Sequence, residues 1–84
     1  MIKYYEYIEP YYGLVKAESL EQSNEFYEKI IADEPEMPIE ISEKDALIAH
    51  INGYVEGEPV TIRELVEEFY ESAPGVLLVD GSLL

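Results

Sequence analysis

The 84-residue sequence contains no cysteine, a single histidine and only five lysines and arginines. Without cysteine there is no disulfide framework, no thiolate nucleophile and no sulfur-based zinc site. The lone histidine, His50, has neither a cysteine nor a second histidine with which to form a zinc site or a catalytic pair. These absences exclude the common cysteine- and zinc-dependent chemistries and fit a reducing cytoplasm.

Positive charge is scarce, since nineteen Asp and Glu against five Lys and Arg give a formal net charge of −14. Such a chain repels the phosphates of nucleic acids and anionic lipids, so we expect no direct nucleic-acid binding and no membrane binding. A basic protein surface is the kind of partner that this charge attracts. The simpler alternative is that the charge only keeps the protein in solution.

Long apolar runs are also absent. No eighteen consecutive apolar residues occur, and the opening "MIKYYEYIEP" lacks the apolar centre of a signal peptide. We therefore expect a soluble, cytoplasmic protein. Eighty-four residues predict one domain, over residues 1–84, that is a monomer or a small homo-oligomer.

Tyrosine, in contrast, is abundant, and "KYYEYIEPYYG" places five tyrosines in residues 3–13. The β-favouring composition predicts strands over Met1–Ile8 and Tyr12–Ala17, joined as a hairpin through a proline- and glycine-containing connection. We expect tyrosines to lie side by side across this hairpin. Tyr5 and Tyr7 are then structural, whereas Tyr11 lies beside the turn and is available to a partner.

Three capping patterns predict three helices. They pair Ser19 with Gln22, Ser42 with Asp45 and Thr61 with Glu64. The predicted helices extend over Leu20–Ala32, from Ser42 through Ile51, and from Thr61 to the Ala73-Pro74-Gly75 break.

Two further strands follow from apolar patterning, a short one at Ile39–Ile41 and "VLLV" at 76–79, which we expect to be central and buried on both faces. Tyr54–Pro59 is predicted to be a loop or a strand-like excursion, and Asp80 and Gly81 a turn. The result is an α+β fold in the order ββαβααβ, with a mixed sheet of about four strands and helices on one face. A last strand that follows a helix implies at least one parallel pairing.

Two acidic stripes are the most suggestive functional feature. They comprise Glu18, Glu21, Glu25 and Glu28 on the first helix, and Glu64, Glu67, Glu68 and Glu71 on the last. Like charges at helical spacing oppose helix formation by about 0.2 to 0.5 kcal/mol per pair, so a function that uses them is plausible. We expect a negative surface that binds a basic protein, and mimicry of DNA is the most specific form of this hypothesis. The alternative is two solvated helix faces.

No residue is predicted to be catalytic, cofactor-binding or metal-binding. The serines are better explained as helix caps, and a position near a helix C-terminus accounts for His50. Acidic residues are so numerous that any pair of them is weak evidence for a site. The competing hypothesis is a small-ligand-binding or accessory enzyme domain that uses a carboxylate pair near the tyrosine-rich sheet.

The segment "YYGLVKAESLEQSNEFYEKI", together with "VLLVDGSLL" at the end of the chain, resembles small acidic proteins encoded by phages and prophages of Gram-positive bacteria. Many members of that group have no assigned function. The resemblance implies a bacterial host cell and a role in binding and inhibiting other proteins. It implies no site residues, because the group has no catalytic motif.

Overall fold

A computed structural model describes residues 1–53 and 61–79 of the chain. Its elements, in order, are β1 (Lys3–Tyr7), β2 (Gly13–Ala17), α1 (Leu20–Ile30), β3 (Ile39–Ile41), α2 (Glu43–Asn52), α3 (Ile62–Glu71) and β4 (Gly75–Val79). The predicted α+β class and the ββαβααβ order are confirmed. The predicted loop at Tyr54–Pro59 and turn at Asp80–Gly81 lie outside the described residues.

The three predicted helix caps are all present. In each, the side-chain oxygen accepts a hydrogen bond from the backbone N–H three residues later, which satisfies one of the unpaired donors of the first turn. The bonds are Ser19 to Gln22, Ser42 to Asp45 and Thr61 to Glu64, each 3.1 Å long. Local sequence therefore sets where each helix begins.

The sheet has the strand order β3-β1-β2-β4, and every neighbouring pair is antiparallel. The predicted mixed sheet with a parallel pairing is therefore wrong. The α1 crossover does bring β3 into the same direction as β2, as a helical connection should. However, β1 lies between these two strands, so no parallel ladder forms, and the two helices between β3 and β4 reverse the chain again.

Helices cover both faces of the sheet, so the predicted placement on one face is also wrong. On one face, Tyr27 of α1 packs with Tyr5, Tyr7, Val15 and Ala17. On the other, Ala46 of α2 and Phe69 of α3 pack with Tyr4 and Leu14. The reason is that β1 and β2 carry apolar side chains at consecutive positions, and consecutive side chains point to opposite faces.

Among the strands that the structure describes, the "VLLV" run is at the edge of the sheet and not at its centre. All five residues of β4 are only partly buried, whereas all five residues of β2 are buried. The central position belongs to β1 and β2, each of which is paired on both sides. A continuous apolar run indicated a strand correctly but not its place in the sheet.

The tyrosines have the expected burial but different partners. Tyr5 and Tyr7 are buried, and Tyr11 is 41% exposed. Across the hairpin, Tyr5 faces Val15 and Tyr7 faces Gly13, so the expected pairing of tyrosines across the ladder is wrong. Residues 8–12 form the connection, which takes Tyr11 out of the ladder. The rings instead contact helices, as when the ring of Tyr7 stacks on that of Tyr27 with centroids 4.2 Å apart.

Candidate functional site

The stripe assigned to the first helix is shorter than its sequence spacing predicted. Glu21, Glu25 and Glu28 lie in α1 and are exposed. Glu18 precedes the N-cap residue Ser19, so it lies outside the helix. Its backbone N–H donates a hydrogen bond to the side-chain oxygen of Gln22 at 2.8 Å. The exposed helical face of α1 therefore carries three glutamates.

The stripe on α3 is complete. Glu64, Glu67, Glu68 and Glu71 all lie within the helix and are exposed. Leu65 and Phe69 are buried, which leaves the glutamates on the remaining sides of the helix. The only basic residue in the helix sequence is Arg63, whose Nε lies 3.3 Å from Glu67 Oε1. The face keeps a net negative charge.

The two stripes lie on opposite sides of the molecule. The helix α1 belongs to the core cluster on one face of the sheet, and α3 belongs to the cluster on the other. They therefore do not join into one acidic surface. A single flat partner can contact one stripe at a time.

Beside the α3 stripe, Tyr70 adds an exposed aromatic ring. Its side chain is 48% exposed, and its ring meets that of Phe69 edge-on at 5.0 Å. The hydroxyl donates to Glu43 Oε2 of α2 at 3.3 Å. Partial desolvation and the nearby Glu43 carboxylate raise the pKa of Tyr70 above its ordinary value of 10.0, so the group remains a donor. Sequence reasoning missed Tyr70, although its place between Phe69 and Glu71 was visible.

Tyr11 belongs to the other side of the molecule. Its backbone N–H donates to the Tyr27 hydroxyl at 3.1 Å, and that hydroxyl donates to the Tyr11 carbonyl at 2.6 Å. Because Tyr27 is part of α1, the structure brings Tyr11 toward the α1 face. The predicted contact residues are thus divided between two surfaces.

A buried lysine anchors the end of α3 to the sheet, and sequence reasoning did not identify it. Lys16 is 5% exposed, and its Nζ donates to the backbone carbonyls of Phe69 at 2.9 Å, Tyr70 at 3.3 Å and Ser72 at 2.8 Å. A cationic group at a helix C-terminus satisfies its last carbonyls and interacts favourably with its dipole. The signal in the sequence was a single lysine within the otherwise apolar segment "GLVKA".

His50 is a core residue as well as a residue of a helix C-terminus. It lies in the last turn of α2, is fully buried, and its ring is 5.6 Å from that of Phe69. Burial lowers the pKa of His50 below 6.5, while the Glu68 carboxylate and a backbone hydrogen bond with Leu65 act in the opposite direction. Its Nε2 lies 3.9 Å from Glu68 Oε1. The predicted position near the end of a helix is confirmed, and burial between α2 and α3 is added to it.

Within the tyrosine-rich sheet, the Glu6 carboxylate of β1 accepts a hydrogen bond from the Tyr12 hydroxyl at 3.0 Å. Burial, followed by this hydrogen bond, raises the pKa of Tyr12 to about 12.

Among residues 1–53 and 61–79, no group of three or more His, Asp or Glu side chains is arranged to hold a metal ion. Within the same residues, no helix is long and apolar enough to cross a membrane.

This acidic domain, with helices on both faces of an antiparallel sheet, matches the family model of the YosH C-terminal domain over residues 2–78. The chain belongs to that family. It is 34% identical, over 90 aligned residues, to the SPbeta prophage-derived uncharacterized protein YosH of Bacillus subtilis. The alignment covers all of this chain but 58% of that relative. This supports the resemblance to prophage-encoded proteins. No solved structure matches the chain.

Proposed function

We propose that this domain is a non-enzymatic protein-interaction module that binds a positively charged protein surface through the outer face of α3. The observation that carries the proposal is the exposed set of four glutamates within one ten-residue helix. Charge of one sign steers an oppositely charged partner and increases its association rate. The proposed setting is the cytoplasm of a bacterial host.

Two features favour α3 over α1 as the contact face. The α3 helix has four glutamates and one basic residue, Arg63, whereas α1 has three glutamates and one basic residue, Lys29, so the α3 face has the larger negative charge. It also has the half-exposed ring of Tyr70 beside it. Tyrosine is enriched at the centres of protein interfaces, where it adds apolar contact area and a hydrogen-bonding group.

The test is affinity capture from the native bacterial host with matched charge variants. One variant carries Glu64→Gln, Glu67→Gln and Glu71→Gln, and the other carries Glu21→Gln, Glu25→Gln and Glu28→Gln. Both raise the net charge by three, and both leave Glu68 next to His50 unchanged. We expect the α3 variant to lose a specific co-purifying protein that the wild type and the α1 variant retain.

Equal capture of the co-purifying protein by both variants would contradict the assignment to α3. Its equal loss from both variants would show that net charge, and not the α3 face, determines binding. DNA mimicry is the finer version of the proposal. It requires the captured protein to bind DNA and requires duplex DNA to displace it from this domain. If duplex DNA does not displace the captured protein, the proposal of an acidic binding face stands and the proposal of DNA mimicry is wrong.

A further inference from the structure

Strand β3 forms one edge of the sheet among the strands that the structure describes. It pairs with β1 through Tyr4 and Ile41, Tyr5 and Glu40, and Glu6 and Ile39. The backbone N–H of Glu36 also donates to the carbonyl of Glu9 at 3.4 Å, which continues the same register beyond the assigned strand. The extended segment next to β1 is therefore longer than β3 itself.

The bond between Glu36 and Glu9 fixes the direction of the backbone groups in this segment. In an extended chain, the N–H and C=O groups of alternate residues point to the same side. Since the backbone of Glu36 points toward β1, those of Met37, Ile39 and Ile41 point away from it, to the open edge. Pro38 has no N–H, but it falls on the inner side, so the proline removes no donor from the edge.

The side chains of the same segment alternate in chemistry. Met37 is 78% exposed and Ile39 is 58% exposed, and both project to one face of the sheet. Glu36 and Glu40 are exposed and project to the opposite face. Lys3 lies 3.7 Å from Glu40, but residues 30–43 themselves contain five acids and no Lys or Arg. One face of the edge is thus apolar and the other acidic.

We propose that the outer edge of β3 is a second binding site, which takes an extended segment of another protein in which apolar residues alternate with Lys or Arg. Such a segment adds one strand to the sheet through main-chain hydrogen bonds. Its apolar side chains lie beside Met37 and Ile39, and its basic side chains lie beside Glu36 and Glu40. This site is separate from the α3 face and does not depend on it.

Charge selects this occupant over a second copy of the chain. Pairing two β3 edges brings together two domains of net charge −14 and places acidic side chains next to one another across the new ladder. A basic strand replaces that repulsion with attraction.

The test is a nuclear magnetic resonance titration of the whole chain with the blocked synthetic peptide KVKIKVKIK. We expect saturable shifts of the backbone amides of Met37, Ile39 and Ile41. The peptides KSKTKSKTK and EVEIEVEIE remove the apolar and the basic residues respectively, and both should bind at least about tenfold more weakly. Equal binding of KSKTKSKTK, or shifts confined to α3, would overturn the proposal.

Backbone pairing is tested by N-methylating the peptide at either its Val and Ile residues or its Lys residues. An added strand bonds through every second residue, so one methylated peptide should lose binding and the other keep it. If both bind like the parent peptide, no strand is added. If the β3 amides shift as protein concentration increases in the absence of peptide, the occupant of the edge is a second copy of the chain.

A pair of matched variants locates the site on the protein. Ile39→Thr keeps a strand-favouring residue but shortens the apolar side chain, and it should weaken the parent peptide about fivefold. Ile30→Thr makes the same change at a residue of α1 that is 61% exposed, and it should have an effect below about twofold. Equal effects of the two substitutions would exclude β3 as the site.

Discussion

Strands β2 and β4 are neighbours of five residues each, and both begin with glycine, yet they are buried to different extents. Every residue of β2 is buried, including Lys16, whereas every residue of β4 is only partly buried. The more apolar of the two segments is therefore the less buried one. Position within the sheet decides burial here, because β2 has a strand on each side and β4 has β2 on one side.

The difference also shows how a polar residue is accommodated in the centre. Lys16 can be buried because three carbonyls near the end of α3 accept hydrogen bonds from its Nζ. Burial of an amino group costs free energy unless it is hydrogen-bonded, and this arrangement supplies the partners. The central strand thus holds a helix in place as well as filling the core.

The largest expected effect compares one leucine from each strand. Leu14 is fully buried and faces Leu78 across the ladder. We expect Leu14→Ala to lower the free energy of unfolding by about 3 to 5 kcal/mol, because it leaves a cavity in the core. Leu78→Ala should cost roughly 1 to 2 kcal/mol, because its side chain is only partly buried. Urea titration measures both, and equal losses would contradict the contrast between the strands.

A second, smaller effect tests the role of the buried lysine. Lys16→Met keeps the side-chain length but removes the donor, so it should lower the free energy of unfolding by about 2 to 3 kcal/mol. Lys3→Met is the control on β1, where the ion pair with Glu40 is exposed, and it should cost at most about 1 kcal/mol. If Lys16→Met is neutral in chemical denaturation, the three carbonyls do not need the lysine.

The two initial glycines give a third comparison. A Cβ on Gly13 would lie 2.6 Å from Ile31 Cδ1 and 3.2 Å from Tyr27 Cε2, whereas a Cβ on Gly75 would lie 4.0 Å from the Ala73 carbonyl oxygen. Gly13→Ala should therefore cost about 1 to 2 kcal/mol, reduced by movement of the Ile31 methyl. Gly75→Ala should be neutral or stabilise by up to about 0.5 kcal/mol. Thermal unfolding of both variants checks this, and the reverse order would be inconsistent with the close approach of α1 to β2.

The smallest expected effect concerns His50, which lies in α2, one of the helices that cover β2 on the Leu14 face. Burial lowers the pKa of His50 below its unfolded value of 6.5. Below pH 6.5 the unfolded chain therefore binds a proton that the folded chain resists, so His50 makes stability fall as pH decreases. Between pH 7 and pH 6 this contribution can reach at most about 0.7 kcal/mol, the limit for a histidine that stays neutral in the folded state, and His50→Gln should remove it.

The measurement is the difference between wild type and His50→Gln in free energy of unfolding at the two pH values. Lys44→Gln, an exposed change on the same helix, controls for altered charge. The same pH dependence in wild type and His50→Gln would show that His50 is protonated equally in both states.

The sequence by itself determined the local structure. Ser19, Ser42 and Thr61 set the starts of the helices, because a cap is a contact between residues three positions apart. Alternating and continuous apolar patterns located the strands, because these patterns also involve residues close together in the chain. The net charge and the acidic content of α1 and α3 were also readable, since they depend on composition and helical spacing alone.

Only the tertiary structure decided which strands are neighbours, which face each helix covers and what surrounds each polar residue. The insertion of β1 between β2 and β3, the three acceptors of Lys16 and the burial of His50 join residues that are far apart in the chain. Such contacts depend on the packing of the whole sheet against both helical layers, so no local pattern encodes them. For the same reason, the two acidic stripes appear equivalent in the sequence but lie on opposite faces of the folded domain.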